Sequence, residues 1–178
     1  MYPYWIWNGE LDSETCDKII AESLTFEENK AKIGTEASSA NPDLRLSRIR
    51  WVQSSEFISS LVTKYFSFAN RNFGFDVSSI FDVQFTEYRG SEKGHYDWHI
   101  DSFENPTGFD RKLSMVIQLT DPAEYEGGTF CFYDQVMKEF QERGSILVFP
   151  SFRAHRVEPV TSGTRRSLVS WIEGPRWR

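Results

Sequence analysis

Residues 94–101 read Gly-His-Tyr-Asp-Trp-His-Ile-Asp and carry two of the three histidines in the chain. In an extended strand, residues two apart project from the same face, so His99 and Asp101 are predicted to point together while Ile100 packs on the other side. An imidazole and a carboxylate held in this way supply two ligands of the facial triad that binds non-haem Fe(II) and leaves other coordination positions open. A His-x-Asp pair arises easily by chance, so the rest of the chain must supply the third ligand.

One histidine outside this stretch is a candidate for that third ligand. His155 follows a short apolar run that ends at Pro150, and a histidine in such a place is more often a core or surface residue than a ligand. Its downstream context changes this expectation, because Arg165 and Ser167 lie on one face of a predicted strand. A buried guanidinium without a counter-ion is strongly unfavourable, and a bidentate carboxylate would relieve that penalty. The pair therefore predicts a small acid bound near the metal.

The predicted elements place helices first and strands after them. Helices are predicted from residue 12 or 13 to about 24 and from residue 54 or 55 to about 70, because each segment combines a capping residue with an apolar stripe. After Gly74 the apolar period changes from helical to alternating, and short strands separated by turns run to the C-terminus. This order predicts a mainly β fold with flanking α-helices, its strands forming a barrel or jelly roll with a polar interior.

Three segments near the predicted site have their own patterns. Arg45–Val52 alternates enough to predict one strand, with Arg45 and Ser47 on the same face. Residues 29–43 contain few large apolar side chains and several helix or strand breakers, which indicates a loop that is as consistent with a lid as with disorder. The Ser162-Gly163 pair predicts a turn before a strand at about residues 164–171.

Composition limits the class of protein. A length of 178 residues suits one domain, and contents of 39% apolar and 16% aromatic residues predict an aromatic-rich core. The net charge of −6 argues against a nucleic-acid-binding surface, which needs clustered lysines and arginines. Cys16 and Cys131 form no Cys-x-x-Cys pair, so we expect core residues in a reducing cytoplasm. No apolar run approaches a membrane span, and residues 1–7 lack the features of a secretory signal, so no membrane partner is expected.

A combination of residues spread over most of the chain resembles a known family. It is similar to the Fe(II)- and 2-oxoglutarate-dependent oxygenases of the prolyl 4-hydroxylase-like, PKHD type. The combination is far more specific than any one of its motifs. Its members are Tyr88, Tyr96-x-x-His99-x-Asp101, Gly127-Gly128, Phe149-Pro150-Ser151, His155, Arg165-x-Ser167 and Trp171.

The resemblance implies a fold and a domain organisation. The fold is a double-stranded β-helix, also described as a jelly roll or cupin-like barrel. One oxygenase domain is expected over residues 1–178, with helical support mainly at residues 12–70 and the core barrel mainly at residues 80–173.

The resemblance also implies the ligands of the metal and of the co-substrate. Fe(II) would be held by the catalytic residues His99, Asp101 and His155. By the same resemblance Arg165 pairs with the far carboxylate of 2-oxoglutarate, Ser167 assists, and Tyr88 contacts the near carboxylate or keto end.

The resemblance extends to a substrate pocket, with departures from the family pattern. Trp171 and Tyr96 are expected to line the pocket, and Arg45 lies on a strand that resembles the family's substrate-proximal strand. Arg111 is explained equally well as a substrate-side arginine and as a solvated charge. Some prolyl hydroxylases have a tyrosine that reaches the far carboxylate where this chain has Gln118, which leaves open how that carboxylate is bound.

One histidine of the opening stretch is not expected to bind the metal. His95 lies four residues before His99, a separation of roughly 13 Å along an extended strand. This distance is too long for two ligands of one ion, so His95 is excluded from the predicted iron site.

The implied reaction is hydroxylation of a substrate C–H bond by O2, with conversion of 2-oxoglutarate to succinate and CO2 and with ascorbate as a reductant. The substrate expected from the resemblance is a prolyl residue in a peptide or protein. Asp101 favours hydroxylation, since related halogenases have a small residue at the matching position. Two alternatives stay open, namely hydroxylation of a free amino acid or other small molecule, and a non-catalytic, metal-binding cupin-like module that only recognises a ligand.

Overall fold

The computed structural model describes residues 2–30, 41, 43–78, 81–102 and 108–177. Within these residues it contains two α-helices and thirteen strands. The helices are α1 (Ser13–Ser23) and α2 (Glu56–Phe73). The strands are β1 (Trp5–Trp7), β2 (Asn29–Lys30), β3 (Arg45–Leu46), β4 (Arg48–Trp51), β5 (Phe81–Arg89), β6 (His95–His99), β7 (Phe109–Gln118), β8 (Tyr125–Gly127), β9 (Phe130–Phe132), β10 (Gln135–Val136), β11 (Ile146–Pro150), β12 (His155–Val157) and β13 (Val160–Pro175).

Both predicted helices form, and their ends follow from their capping residues. The Asp12 side chain accepts a hydrogen bond from the backbone N–H of Thr15, which satisfies an otherwise unpaired donor in the first turn of α1. Ser55 caps α2 in the same way. The second helix runs three residues beyond the predicted end at Asn70 and stops at Gly74, whose left-handed backbone terminates it.

Two antiparallel sheets make up the body of the fold. The larger has eight strands in the order β1-β11-β7-β13-β5-β4-β2, with β8 paired to the first part of β13. The smaller has five strands in the order β10-β9-β12-β6-β3. The predicted architecture, mainly β with flanking α-helices, is confirmed.

Each face of the larger sheet has its own apolar core. The outer face packs against the helices, where Val62 and Phe66 of α2 belong to one buried cluster with Phe85 of β5. The inner face packs against the smaller sheet through a second buried cluster that joins Phe149 of β11 to Phe130 of β9. The alternation predicted for β5 produces this division, because successive side chains point to opposite faces. The site described below lies between the two sheets.

The prediction of one strand over Arg45–Val52 is wrong. The chain forms two strands separated at Ser47, and they belong to different sheets. The first, β3, pairs with β6 of the smaller sheet, and the second, β4, pairs with β5 of the larger one. Alternating polarity alone does not reveal such a change of partner, because both halves keep the period of two.

The predicted turn at Ser162-Gly163 is also wrong, because β13 continues through it. Gly163 has a left-handed backbone, and a Cβ atom there would lie 2.0 Å from the carbonyl oxygen of Glu124. At this point β13 changes its partner from β8 to β5. The glycine therefore lies inside a long strand, where it permits the close approach to Glu124 at the change of partner.

The predicted loop over residues 29–43 is only partly described. Its first two residues form β2, which pairs with β4, so the start of the loop was placed too early. Residues 31–40 and 42 lie outside the described residues, and the lid interpretation stays a prediction. Neither of the two helices described above is long and apolar enough to cross a membrane.

Candidate metal and co-substrate site

Two histidines and one aspartate meet on the inner face of the smaller sheet. His99 ends β6 and His155 begins β12, and the two residues are direct partners in the antiparallel pairing. Asp101 lies two residues beyond the end of β6, where its backbone N–H donates to the carbonyl of Ser151. One ligand atom from each of the three side chains lies within 4.8 Å of the others. This is a compact donor set of two imidazoles and one carboxylate, which suits a divalent metal ion.

Both imidazoles are oriented by backbone carbonyls. Nδ1 of His99 lies 2.7 Å from the carbonyl oxygen of Asp97, and Nδ1 of His155 lies 2.9 Å from that of Arg153. A carbonyl oxygen only accepts, so Nδ1 carries the proton in each ring, and Nε2 of the neutral ring keeps a lone pair. The two Nε2 atoms lie 3.6 Å and 3.5 Å from the Asp101 carboxylate oxygens. The tautomer needed for metal binding is thus set by the fold.

The environment also favours the protonation states that bind a metal. Burial, reinforced by the neighbouring His155 imidazole, lowers the pKa of His99 to about 3, so the ring is neutral at physiological pH. Burial alone would raise the pKa of Asp101, but the two histidines and a hydrogen bond from Ser114 more than offset it and the pKa is lowered. A neutral imidazole and an ionised carboxylate are the forms that coordinate an ion.

Tyr96 reaches the same cavity because β6 is irregular. On β12, His155 and Val157 are two residues apart, but their partners on β6, His99 and Tyr96, are three apart. The extra residue is a bulge, which brings two side chains of opposite parity to one face. The Tyr96 ring stacks on His99 with centroids 3.4 Å apart. His95 points elsewhere, with its ring nitrogens 2.9 Å and 3.2 Å from the carbonyl oxygens of Lys93 and Asp43.

A buried arginine faces the same interior from the larger sheet. The side chain of Arg165 is 1% exposed, yet its Nη1 and Nη2 atoms have no hydrogen-bond partner among the described residues. The hydroxyl of Ser167, two residues along the same face of β13, is also buried and unpartnered within the described chain. Tyr88 is the direct neighbour of Arg165 on β5. Burial raises the pKa of Tyr88, so its hydroxyl stays protonated and can donate a hydrogen bond.

The remaining predicted residues divide between the cavity wall and its surroundings. Arg45 lines the cavity, donates to Gln84 at 2.8 Å and lies over the Tyr96 ring. Trp171 lines it too, and the Arg111 guanidinium lies 4.1 Å from the centroid of the Trp171 ring. All predicted site residues line the cavity except Arg111 and Gln118.

Gln118 is buried beside the cavity and is held by other groups. It lies directly opposite Ser167 in the pairing of β7 with β13. Its amide nitrogen donates to the carbonyl of Thr120 and to the hydroxyl of Tyr125, at 2.9 Å and 3.1 Å. The side-chain oxygen has no partner among the described residues.

Sequence reasoning missed two residues that contact the site. Gln84 bonds Arg45, and Ser114 donates to Asp101 at 2.7 Å. Gln84 belongs to the polar set that alternates along β5, so its interior position could have been found from the pattern. Ser114 stands in the otherwise apolar run Leu113–Ile117 and gives no signal of its own.

Comparisons with known proteins agree with this geometry. Residues 83–173 match the family described as the 2OG-Fe(II) oxygenase superfamily. A PKHD-type hydroxylase of Prochlorococcus marinus strain NATL2A is 28% identical over 166 residues, which cover 88% of this chain and 70% of that protein. The family match over residues 83–173 includes His99, Asp101, His155 and Arg165.

Two solved structures share the fold. One is a prolyl hydroxylase from Trichoplax adhaerens in complex with a hypoxia inducible factor oxygen degradation domain peptide fragment; it has a TM-score of 0.77 and 20% identity, over 96% of this chain and 83% of that one. The other is the viral collagen prolyl hydroxylase vCPH of Paramecium bursaria Chlorella virus-1 in its 2OG complex, with a TM-score of 0.73 and 21% identity over 97% of both chains. These likenesses confirm the predicted double-stranded β-helix.

Proposed function

The chain belongs to the 2OG-Fe(II) oxygenase superfamily, and from that premise we propose that it hydroxylates a prolyl residue in a peptide or protein. In the proposed reaction, O2 and 2-oxoglutarate are consumed and succinate and CO2 are released. We further propose that residues 1–178 act as one oxygenase domain, since α2 packs on the sheet that carries the buried arginine.

The observation that carries this proposal is the buried guanidinium of Arg165, whose Nη1 and Nη2 atoms have no hydrogen-bond partner in the described part of the chain. A buried charge without a counter-ion is strongly unfavourable, and here two amino nitrogens of a 1% exposed side chain have no partner among the described residues. Their planar fork matches a carboxylate that accepts two parallel hydrogen bonds. The far carboxylate of 2-oxoglutarate has the charge and shape to fill this role. Ser167 and Tyr88 would add hydroxyl donors to the bound co-substrate.

The donor set of His99, Asp101 and His155 fits Fe(II). Two imidazoles and one carboxylate supply three ligands, and the remaining positions of an octahedral ion stay available for other molecules. Fe(II) bound there would supply the oxidising chemistry that inserts one oxygen atom into a C–H bond. The protein's part is to orient the two histidines through backbone carbonyls and to keep the site away from bulk water. In the proposed cycle ascorbate serves as the reductant that keeps the metal in its ferrous state.

The cavity wall supports a peptide substrate. Trp171 lines the cavity, and the ring centroid of the exposed Trp51 lies 6.2 Å from that of Trp171. The two rings together form an aromatic border. Tyr96 and Arg45 also line the cavity, and the Arg111 guanidinium lies over the Trp171 ring. Aromatic surfaces suit proline rings, and arginines can bind backbone carbonyls of an extended peptide. One structural relative is in complex with a peptide fragment and another is a collagen prolyl hydroxylase, which favours the same substrate class.

A coupled assay tests the proposal. Purified protein with Fe(II), ascorbate and 2-oxoglutarate is incubated with a panel of proline-containing peptides, and succinate and peptide mass are measured together. We expect peptide-dependent succinate release that stops when Fe(II) is omitted. Free proline and other free amino acids serve as the comparison, and turnover of these in place of peptides would overturn the prolyl-peptide assignment.

A further inference from the structure

Two buried serines form a hydrogen-bonded chain behind Asp101. Ser114, on β7, donates from its hydroxyl to Oδ2 of Asp101 at 2.7 Å. The hydroxyl oxygens of Ser114 and Ser151 lie 2.9 Å apart. Both serines have no exposed surface, so within the fold these hydroxyls are satisfied by each other and by the carboxylate. These hydrogen bonds link the larger sheet to the Asp101 side chain of the proposed metal site.

The donor and the acceptor in each of these hydrogen bonds follow from the chemistry of the groups. An ionised carboxylate only accepts hydrogen bonds, so the Ser114 proton points to Asp101. The Ser114 oxygen is then free to accept, and Ser151 is the donor between the two serines. The Ser151 carbonyl also accepts the backbone N–H groups of Asp101 and Ser102, at 2.9 Å and 3.0 Å. Ser151 thus fixes the backbone of the aspartate directly and its side chain through Ser114.

The two carboxylate oxygens differ as a result. Oδ2 accepts the hydrogen bond from Ser114 and lies 3.5 Å from Nε2 of His155. Oδ1 lies 3.6 Å from Nε2 of His99. Since a hydrogen bond withdraws negative charge from the oxygen that accepts it, the bond from Ser114 makes Oδ2 a weaker ligand atom for a metal.

We propose that Ser114 and Ser151 are positioning residues that hold Asp101 so that Oδ1 alone is presented to the metal. This inference rests on the proposed function, because it concerns the same metal site. A carboxylate held by one oxygen leaves more of the coordination sphere free for the co-substrate and O2 than a carboxylate bound through both. Ser114 makes the direct contact, and Ser151 sets the direction of the Ser114 hydroxyl.

Binding of Mn²⁺ tests this inference without any need for turnover. The dissociation constant is measured by electron paramagnetic resonance for the parent protein and for Ser114→Ala, Ser114→Thr and Ser151→Ala. Ser114→Ala should weaken Mn²⁺ binding on the order of 10-fold, the lower end of the loss typical for groups that orient a metal ligand. Ser151→Ala should weaken it less, because the bond from Ser114 to Asp101 is retained. Ser114→Thr restores the hydroxyl and should recover most of the affinity.

A matched control separates this role from a general effect on the fold. Ser145 is also fully buried, but its hydroxyl accepts from the backbone N–H of Gly9, so Ser145→Ala should leave Mn²⁺ affinity unchanged. Thermal unfolding of each metal-free variant shows whether it is folded. If Ser114→Ala does not fold, Ser114→Cys, which keeps a similar volume and a weaker donor, takes its place in the comparison.

The outcomes distinguish the two proposals. A parent protein that binds no Mn²⁺ would refute the metal site and this inference with it. A parent that binds Mn²⁺, with unchanged affinity in the variant lacking the Ser114 hydroxyl, would overturn the inference alone. Ser114→Thr binding more weakly than Ser114→Ala would also overturn it, because packing rather than the hydroxyl would then be decisive.

Discussion

Replacement of Arg165 by methionine should make the ligand-free protein more stable while it destroys co-substrate binding. Arg165→Met keeps the length of the side chain and removes the charge. In the structure the guanidinium is 1% exposed, and its two amino nitrogens have no partner among the described residues. Replacing buried charged groups by apolar ones of similar volume is neutral or stabilising, by up to about 1–4 kcal/mol. We expect the free energy of unfolding of the metal-free protein to rise within this range.

The same substitution should weaken 2-oxoglutarate binding strongly. Two charge-assisted hydrogen bonds to a carboxylate contribute about 1.5–3 kcal/mol each. Their loss, about 3–6 kcal/mol together, corresponds to a roughly hundredfold to ten-thousandfold increase in the dissociation constant. Stability and binding are therefore expected to move in opposite directions, which is the sign of a residue retained for its ligand.

Two measurements on the same preparations check this prediction. Urea denaturation of the metal-free protein gives the free energy of unfolding, and calorimetric titration of the Mn²⁺-loaded protein gives the affinity for 2-oxoglutarate. Arg166→Met is the matched control, since the adjacent Arg166 points to the other face and pairs with Glu87 at 3.2 Å. Loss of the ion pair between Arg166 and Glu87 should lower the free energy of unfolding by at most about 1 kcal/mol. The affinity for 2-oxoglutarate should stay unchanged.

Either of two results would contradict this role of Arg165. Arg165→Met could prove clearly less stable than the parent without ligand, which would mean that the guanidinium has good partners in the ligand-free state. Alternatively, the variant could bind 2-oxoglutarate as tightly as the parent does, and Arg165 would then not be the carboxylate ligand.

Three further predictions concern the metal and the co-substrate. His155→Ala should abolish Mn²⁺ binding measured by electron paramagnetic resonance, whereas His95→Ala should retain it, because the His95 ring nitrogens face the backbone carbonyls of Lys93 and Asp43. The pKa of His99 is about 3 in the folded protein, against an ordinary value of 6.5, so between these values the unfolded chain binds a proton at His99 and the folded chain does not. The free energy of unfolding of the metal-free protein should therefore fall as the pH drops from 6.5 towards 3. Calorimetric melts should show a weaker pH dependence for His99→Gln. Gly128→Ala should lower the free energy of unfolding by about 1 kcal/mol, because Gly128 has φ +64°. It should also weaken 2-oxoglutarate binding, because the added Cβ would lie 2.9 Å from Cδ of Arg165. Unchanged 2-oxoglutarate affinity in calorimetric titrations would contradict this prediction.

The sequence predicted the fold class and the residues that the structure brings to one cavity. His99 and Asp101 are two residues apart, and so are Arg165 and Ser167 on β13, so the common direction within each pair follows from parity. Tyr96 reaches the cavity only through a bulge in β6, which a period of two does not predict. The position of Tyr96 in the pocket is therefore expected from the family resemblance and not from the alternation of the strand.

Features that depend on long-range pairing could not be read from the residues. The separation of β3 from β4 at Ser47 depends on which strand each half pairs with, and the sequence does not encode this locally. The continuation of β13 through Gly163 reflects a change of partner at a glycine that also suits a turn. The contact of Ser114 with Asp101 joins a strand of the larger sheet to the segment that follows β6 of the smaller one, so neither residue alone indicates it.

The most direct test of the central claim is an incubation under isotopically labelled O2. The protein is supplied with Fe(II), ascorbate, 2-oxoglutarate and a proline-containing peptide that supports succinate release, and both products are analysed by mass spectrometry. We expect one heavy oxygen atom in the peptide, located on a prolyl residue, and one in succinate. Succinate that carries the label while every peptide keeps its original mass would contradict prolyl hydroxylation, and the absence of labelled succinate would contradict the oxygenase reaction itself.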